Sequence, residues 1–338
     1  MKLDRTVSIA PMMARTDRHF RYLARLITRH ALLYTEMITT GALLRGDTAR
    51  YLAHDDAEHP LALQLGGCDP GDLARSARLA EAAGFDEVNL NIGCPSDRVQ
   101  AARFGACLMA EPELVADCVA AMRAAVKLPV TVKTRTGIDR QDSYENLSRF
   151  ITTVAAASCG TFIIHARKAW LRGLSPKENR DLPPLRYDVV HSLKREFPEL
   201  EIILNGGVTS LDQAHGELMH VDGVMLGREA YQNPFCLAEV DRRFYGDSAA
   251  PRTREQVLSQ FIAYVERQLM HGAPLSQIAP HMMGIFHGQM GARQWRGCLS
   301  RLVNERRDDI RDIDDARSRM DSMNKVSAEE AMECSSPL

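Results

Sequence analysis

Three features that would assign this chain to a simple class are missing from its sequence. Its eight cysteines form no Cys-x-x-Cys pair, and its formal net charge is only −2 over 338 residues. It also has no run of about 18 apolar residues, which argues against a membrane-spanning helix. Scattered cysteines exclude neither a fold nor an activity, but they are typical of reduced cytoplasmic thiols rather than a disulfide framework or a zinc site. Residues 1–5 are too polar for a signal peptide, so we expect a cytoplasmic protein.

What the sequence does contain is a regular alternation of strand and helix patterns between residues 7 and 228. The predicted strands cover residues 7–11, 32–36, 61–65, 88–92, 130–133, 161–165, 202–207 and 222–228. Eight strands separated by helices predict an α/β fold of the (β/α)₈ TIM-barrel type. An open doubly wound sheet is the alternative, but no Gly-x-Gly-x-x-Gly motif follows the first strand.

The strand patterns end near residue 251. Residues 255–270 carry apolar side chains at helical spacing, and helix-compatible sequence continues to residue 323. We therefore predict a catalytic barrel domain over 1–245, a small C-terminal all-helical domain over 251–323, and a disordered tail over 324–338.

The fourth predicted strand ends in the most informative stretch of the sequence. Its apolar residues alternate with Asn89 and Asn91, and the strand breaks at Gly93, which leaves Cys94 at its C-terminal end. A buried structural thiol is the alternative, since free cysteine is among the most buried residue types. In a barrel of parallel strands, however, the C-terminal ends carry the chemistry. Cys94 is therefore a candidate catalytic residue.

The other strands also end in candidate site residues, most of which are polar or small. These are Pro11, Met12 and Met13, then Glu36, Gln64, Lys133, His165, the turn Asn205, Gly206 and Gly207, and finally Gly227 with Arg228. Glycines after strands seven and eight of a barrel often bind phosphate, because backbone N–H groups can approach the anion there. We therefore expect a phosphorylated cofactor. Lys133 would favour a reduced anionic flavin or would form a Schiff base, and the residue types alone leave both open.

Three longer motifs are specific enough to indicate a family. They are Asn-x-Gly-Cys-Pro at 91–95, Phe-Gly-Ala-Cys-Leu at 104–108 and Gly-Leu-Ser-Pro-Lys-Glu-Asn-Arg at 173–180. The first two resemble the flavin-dependent tRNA-dihydrouridine synthases. The third resembles the bacterial A-type enzymes of that family, which reduce uridines 20 and 20a of the tRNA D-loop. The resemblance extends from residue 7 to residue 303.

This resemblance implies an FMN-dependent oxidoreductase that reduces the C5–C6 double bond of uridine, with FMN re-reduced by NADPH. It implies that Cys94 donates the proton and that Asn91 contacts the target uridine. FMN would be bound by Pro11, Met12, Met13, Gln64, Lys133, His165, Asn205, Gly206, Gly207, Gly227 and Arg228. The tRNA would be contacted by Lys177, Arg180, Arg293 and Arg296. We expect tRNA and NADPH as partners, no membrane, no metal, and a monomer.

The proton-donor role fits a cysteine, because a thiol of ordinary pKa, roughly 8.5, is mostly protonated at neutral pH and can act as a general acid.

Two alternatives to this function remain at this stage. A small-molecule FMN oxidoreductase of the dihydroorotate dehydrogenase type would leave the basic residues 293–307, five arginines against one glutamate, without a role. A catalytically inactive tRNA-binding protein would not need Cys94 or Lys133. The position of Trp295 between two arginines further favours an RNA site over a solvated helix face.

Overall fold

The computed structural model of this protein describes residues 3–305 and, beyond them, residues 311, 313 and 317. Within these residues eight parallel strands pair in sequence order, and the first pairs with the last to close a barrel. The strands are β1 Val7–Ile9, β2 Leu32–Thr39, β3 Leu61–Gly66, β4 Glu87–Asn91, β5 Val130–Arg135, β6 Thr161–His165, β7 Glu201–Asn205 and β8 Gly223–Leu226. The predicted TIM barrel is confirmed.

The helices of the described chain alternate with these strands and then continue alone. They are α1 Arg18–Ile27, α2 Thr40–Arg45, α3 Thr48–Leu52, α4 Pro70–Ala82, α5 Asp97–Ala101, α6 Pro112–Ala125, α7 Tyr144–Ala156, α8 Glu178–Asp181, α9 Tyr187–Glu196, α10 Leu211–Glu217, α11 Arg228–Gln232, α12 Val240–Tyr245, α13 Arg254–Met270, α14 Leu275–Met282 and α15 Ala292–Glu305. Short 3₁₀ helices cover Asp56–Glu58, Gly105–Ala110 and Pro234–Leu237. None of the helices in this part of the chain is long and apolar enough to cross a membrane.

The barrel interior is a packed core. Its inward-facing residues include Leu32 and Tyr34 of β2, Ile163 of β6 and Met225 of β8, all fully buried. Because side chains fill the interior, as is usual for this fold, substrates can reach only the ends of the barrel.

Three strand ends differ from the sequence prediction in a way that affects the site. Strand β5 extends beyond Lys133 to Arg135, because Arg135 pairs with His165 of β6. Strands β7 and β8 are shorter than predicted and end at Asn205 and Leu226. The glycines that follow β7 and β8 therefore lie in loops, where their backbone N–H groups are not committed to the sheet.

The chain divides into two compact units. The first comprises Met1–Arg21 and His30–Gly227 and contains the barrel strands. The second comprises Tyr22–Arg29 and the chain from Arg228 onward, and its described secondary structure is helical. The predicted boundaries at 245 and 251 stay predictions. The predicted tail 324–338, together with Arg306 and Arg307, lies outside the described residues.

Residues 22–29 belong to the second unit because several of their side chains are bonded within it. The Tyr22 ring stacks on Tyr264 with a centroid distance of 4.1 Å. The hydroxyl of Thr28 donates to Oδ1 of Asp241 across 2.6 Å, and the backbone N–H of Arg29 donates to Oδ2 of the same carboxylate across 2.7 Å. Nothing in the local helical pattern of α1 indicated this division, since it depends on partners more than 200 positions away.

Candidate active site

Cys94 lies in a tight loop immediately after β4. The side-chain oxygen of Asn91 accepts hydrogen bonds from the backbone N–H groups of Gly93, at 3.1 Å, and Cys94, at 3.0 Å. The sulfur of Cys94 is half-buried and lies 3.7 Å from the hydroxyl oxygen of Ser96. The loop is therefore fixed by its own strand, with the thiol at the C-terminal end of the barrel, as the sequence predicted.

A second loop packs against the first and explains the Phe-Gly-Ala motif. The backbone N–H of Ala106 donates to the carbonyl oxygen of Cys94 across 2.9 Å. Gly105 has a φ of +78°, and a Cβ there would lie only 2.6 Å from that carbonyl oxygen and 2.5 Å from a methyl carbon of Val99. Glycine is required both for the backbone conformation and for the close approach of the two loops.

Lys133 and Asn205 meet across the barrel mouth. The Lys133 ammonium donates to Oδ1 of Asn205 across 2.8 Å, and Nδ2 of Asn205 donates to the Met225 carbonyl across 2.8 Å. Burial lowers the pKa of Lys133 from 10.5 to about 7; the positive charge of Arg135 acts in the same direction, and the nearby Cys94 sulfur opposes it. Lys133 is thus poised to gain or lose its charge near neutral pH.

His165 ends β6 beside these groups. Burial holds the pKa of His165 well below its ordinary value, and the charges of Arg135 and Lys133 lower it further. The ring is therefore neutral at pH 7 and can serve as one donor and one acceptor. It also packs closely against the next loop: Gly206 has a φ of +108°, and a Cβ there would lie 2.5 Å from the His165 ring.

The loop after β7 begins with two glycines, and its backbone is fixed by a neighbouring tyrosine. The Tyr187 hydroxyl donates to the Gly206 carbonyl across 2.6 Å, and Gly207 has a φ of +72°. Gly227 follows β8, and Arg228 begins α11 as the first residue of the second unit. A glycine-lined backbone of this kind suits the phosphate group of a cofactor, because N–H groups can approach an anion closely.

Gln64 is buried and already bonded on both sides. Its Nε2 donates to Asn89 across 2.8 Å, and its Oε1 accepts from Asn91 across 2.9 Å. Pro11, Met12 and Met13 follow β1, and Met13 is 60% exposed. The structure thus brings the predicted cofactor residues of the first unit to one end of the barrel, since parallel strands share their C-terminal ends.

Arg135 is a site residue that the sequence reasoning missed. Its buried guanidinium donates from Nε to the Gly93 carbonyl across 2.8 Å, and from one Nη to the carbonyls of Lys168, at 3.1 Å, and Asn179, at 3.0 Å. Burial lowers the pKa of Arg135 to about 10, and it stays charged at pH 7. Continuing the period of two from Lys133 would have placed it on the same face of β5.

The predicted tRNA residues Lys177 and Arg180 are exposed in and beside α8. The segment that carries them folds around the fully buried Asn179. Its side-chain oxygen accepts from the backbone N–H of Trp170 at 2.7 Å, and its side-chain nitrogen donates to the backbone carbonyl of Trp170 at 2.9 Å. Arg180 is close enough to the barrel mouth that its charge contributes to lowering the pKa of His165.

Arg293 and Arg296 are exposed on α15 of the second unit. Trp295 between them is fully buried, donates from Nε1 to the Met282 carbonyl across 2.9 Å, and contacts the Phe286 ring edge-on at 5.1 Å. The interpretation of Trp295 as support for an RNA surface was therefore wrong: the residue belongs to the core of its unit.

The fold and site together define a class of protein, a (β/α)₈ barrel with acid–base groups and glycine-lined loops at its C-terminal end. Two solved structures share this fold. One is a 2-naphthoyl-CoA reductase in complex with 2-naphthoyl-CoA, with a TM-score of 0.53 and 11% identity over 71% of this chain, which spans about half (51%) of that protein. The other is an old yellow enzyme homologue from Zymomonas mobilis, with a TM-score of 0.50 and 15% identity over 73% of this chain and 90% of that one.

The profile of one protein family, dihydrouridine synthase (Dus), matches residues 8–320. Similar proteins named tRNA-dihydrouridine(20/20a) synthase occur in Shewanella oneidensis, at 62% identity over 88% of this chain and 89% of the relative, and in Vibrio cholerae, at 58% over 87% and 90%. The Escherichia coli K12 protein of that name is 57% identical over 91% of this chain and 90% of its own length. This chain belongs to the dihydrouridine synthase family, which confirms the resemblance drawn from the motifs.

Proposed function

We propose that this chain reduces the C5–C6 double bond of uridine to 5,6-dihydrouridine at positions 20 and 20a of the tRNA D-loop, with FMN as cofactor and NADPH as reductant. The observation that carries the proposal is the Cys94 loop. It holds a thiol at the C-terminal end of a barrel, near the Lys133 ammonium, and Asn91 Oδ1 fixes the loop by accepting from the Cys94 backbone N–H at 3.0 Å. Relatives that share 57–62% of its sequence carry the name of this reaction.

The groups at the barrel end fit a flavin mononucleotide. A Cβ at Gly206 would lie 2.5 Å from the His165 ring, so the loop after β7 admits only bare backbone, which suits a phosphate. The charged donor Arg228 follows directly after Gly227. Lys133 and His165, together with the second N–H and the second oxygen lone pair of the Asn205 and Gln64 amides, supply the donors and acceptors that the polar edge of a flavin ring requires. Pro11, Met12 and Met13 complete this binding set.

Saturating the uracil double bond requires a hydride at one ring carbon and a proton at the other. When bound, a reduced flavin supplies the hydride. Cys94 holds the proton at Sγ and donates it to the ring as a general acid. Lys133 carries its charge most fully below its pKa of about 7, and a cation there stabilises negative charge on a reduced cofactor. A Schiff base on Lys133 has no part in this reduction.

The target uridine must leave the stacked core of the tRNA to reach a barrel end, at a cost of a few kcal/mol. Asn91 contacts the extruded base. Lys177 and Arg180, which are exposed beside the barrel mouth, bind tRNA phosphates, and so do Arg293 and Arg296 on α15. A small-molecule oxidoreductase would have no use for these cations. The enzyme acts in the cytoplasm as a monomer without a metal ion.

The test uses purified flavin-loaded protein, NADPH and tRNA from a strain that lacks the enzyme, with dihydrouridine located by mass spectrometry of tRNA fragments. Wild-type protein should modify positions 20 and 20a. Cys94→Ala should retain FMN and NADPH oxidation, while uridine reduction falls by about 10²–10⁴, the usual range for losing a general acid. Cys107→Ala is the matched control, because Cys107 is also half-buried and should leave the rate unchanged. Wild-type turnover in Cys94→Ala would remove Cys94 from the mechanism.

A further inference from the structure

A continuous chain of side-chain hydrogen bonds crosses the barrel interior and ends on the Cys94 loop. We call it the interior chain and define it as Glu87, Thr131, Asn89, Gln64 and Asn91. Its links are Thr131 Oγ1 to Glu87 Oε1 at 2.6 Å, Asn89 Nδ2 to Thr131 Oγ1 at 2.8 Å, Gln64 Nε2 to Asn89 Oδ1 at 2.8 Å, and Asn91 Nδ2 to Gln64 Oε1 at 2.9 Å. Every member is buried, with relative exposures from 0% to 8%.

Strand register produces the interior chain. Gln64 of β3 pairs with Asn89 of β4, and Asn89 pairs with Thr131 of β5. The three side chains therefore stand side by side on one level of the barrel. Glu87 and Asn91 lie two residues before and after Asn89 on the same strand, so they face the same side.

Both ends of the interior chain permit only one direction of donation. At one end, Glu87 accepts from the Arg5 guanidinium at 2.7 Å, and a carboxylate paired in this way only accepts hydrogen bonds. At the other end, the backbone N–H groups of Gly93 and Cys94 can only donate, and Asn91 Oδ1 receives both. Each side-chain amide between these ends can make its hydrogen bonds in only one orientation. Exchanging the oxygen and nitrogen of any of these amides would place a donor opposite a donor or an acceptor opposite an acceptor.

This polarity decides what the site presents to a base. Asn91 Oδ1 already accepts two hydrogen bonds from the Cys94 loop, and one N–H of its amide group is used on Gln64. An amide nitrogen carries two N–H donors, so the Asn91 side chain has one N–H left to donate to a base. Its carbonyl oxygen is already occupied by the two N–H groups of the loop. Such a donor suits a carbonyl oxygen of the uracil ring.

We propose that Glu87, Thr131 and Asn89 are positioning residues for Cys94, acting through Gln64 and Asn91 to hold the loop in the geometry that delivers the proton. This proposal rests on the proposed function for its catalytic consequence. None of the three touches the reacting atoms. They set the direction of the interior chain, which begins at Glu87 at the start of β4 and ends at the loop that carries the thiol.

The chain offers a matched control for a merely structural role. The Tyr34 hydroxyl donates to Glu87 Oε1 across 2.6 Å, the same oxygen and the same distance as the hydroxyl of Thr131. Tyr34→Phe therefore removes an equivalent buried hydrogen bond without interrupting the path to Cys94. Thr131→Val removes the hydroxyl and keeps the branched shape, whereas Thr131→Ser keeps the hydroxyl.

The experiment measures deuterium exchange of the peptide that spans residues 92–95 in the flavin-loaded enzyme, without tRNA. Its informative amides are those of Gly93 and Cys94. Thr131→Val should raise their exchange rate about 3–10-fold, the effect of weakening one hydrogen bond, whereas Thr131→Ser and Tyr34→Phe should match wild type. The turnover number for uridine reduction should fall in Thr131→Val with the KM for tRNA unchanged, and Thr131→Ser should restore it.

The proposal would be overturned if exchange at residues 92–95 in Thr131→Val were no faster than in wild type, or no faster than in Tyr34→Phe. If Thr131→Val does not fold, Thr131→Ala is used in its place, because it removes the same hydroxyl without adding a methyl group. The exchange measurement requires no catalysis. If wild-type protein makes no dihydrouridine, the proposed function fails, while the exchange rates still decide whether the interior chain holds the loop.

Discussion

Arg135 donates a hydrogen bond from Nε to the carbonyl oxygen of Gly93, the residue before Cys94, across 2.8 Å. The same guanidinium donates to the carbonyl of Asn179, which organises the exposed basic segment around Arg180. One buried cation thus joins the loop that carries the thiol to the segment proposed to bind tRNA. The Cys94 loop is consequently held from two sides, by Asn91 and by Arg135.

We expect Arg135→Lys to loosen both segments. Lysine keeps the positive charge but lacks the planar fork that reaches three carbonyl oxygens. Removing charge-assisted buried hydrogen bonds of this kind costs about 1.5–3 kcal/mol each, so the single-turnover rate of uridine reduction should fall at least about tenfold and the free energy of unfolding should drop. Arg149→Lys, at an exposed position on α7, is the control. A wild-type rate in Arg135→Lys would show that this guanidinium does not hold the loop.

Stability should depend on pH through Lys133. Its pKa is about 7 in the folded protein and near 10.5 when unfolded. Between these values the unfolded chain binds a proton that the folded chain does not, so the free energy of unfolding rises with pH, by at most about 1.4 kcal/mol per pH unit. Below pH 7 both states are protonated and this contribution is flat.

Urea unfolding of flavin-free protein from pH 6 to pH 9 measures this effect. The difference between wild type and Lys133→Met isolates it from the other titrating groups, because methionine has similar length and no charge. A difference that stays constant above pH 7 would mean that Lys133 keeps an ordinary pKa in the fold.

Two glycine-to-alanine substitutions separate backbone strain from loop contact. Gly105 and Gly84 both have positive φ, +78° and +89°, but a Cβ at Gly84 has no heavy atom within 4 Å. Gly84→Ala should cost about 1 kcal/mol of stability, from the left-handed conformation alone, and leave activity unchanged. Gly105→Ala should cost more and lower the rate of uridine reduction, since the new methyl group displaces the Cys94 carbonyl. Equal activity in the two variants would argue that the packing of one loop on the other is dispensable.

The pair Arg293→Ala with Arg296→Ala tests the proposed RNA surface of the second unit. Both side chains are exposed on α15, so their removal should leave stability, FMN content and NADPH oxidation unchanged. The affinity for tRNA should drop, and the slope of log affinity against log salt should decrease by roughly 0.7–0.9 for each tRNA phosphate that the variant no longer binds. Arg149→Ala with Arg195→Ala removes two exposed arginines of the first unit and should change neither quantity. If the slope of log affinity against log salt is unaltered in the Arg293→Ala, Arg296→Ala variant, these two arginines do not bind tRNA phosphates.

Local patterns were sufficient for the order of elements and for much of the site. The period of two in β4 located Cys94 at the end of its strand, and the sequence also placed glycines directly after β7 and β8, where the structure has loops. The same reasoning stopped β5 at Lys133 and so missed Arg135, because the polar Thr134 ended the apolar run while strand pairing with β6 continued. It also interpreted Trp295 from its charged neighbours, although its partners Met282 and Phe286 bury it.

The sequence by itself determined the barrel, since strand and helix periodicities are local and eight parallel strands with helical crossovers close in only one common way. It also located most of the residues at the strand ends, although it missed Arg135 at the end of β5. Only the tertiary structure decided how those residues are bonded: that Gln64 turns its amide between two asparagines, and that residues 22–29 pack with the chain beyond Arg228. Such contacts depend on strand register and on partners distant in sequence, and a hydrogen-bond direction set at Glu87 has no signature in the residues that surround Cys94.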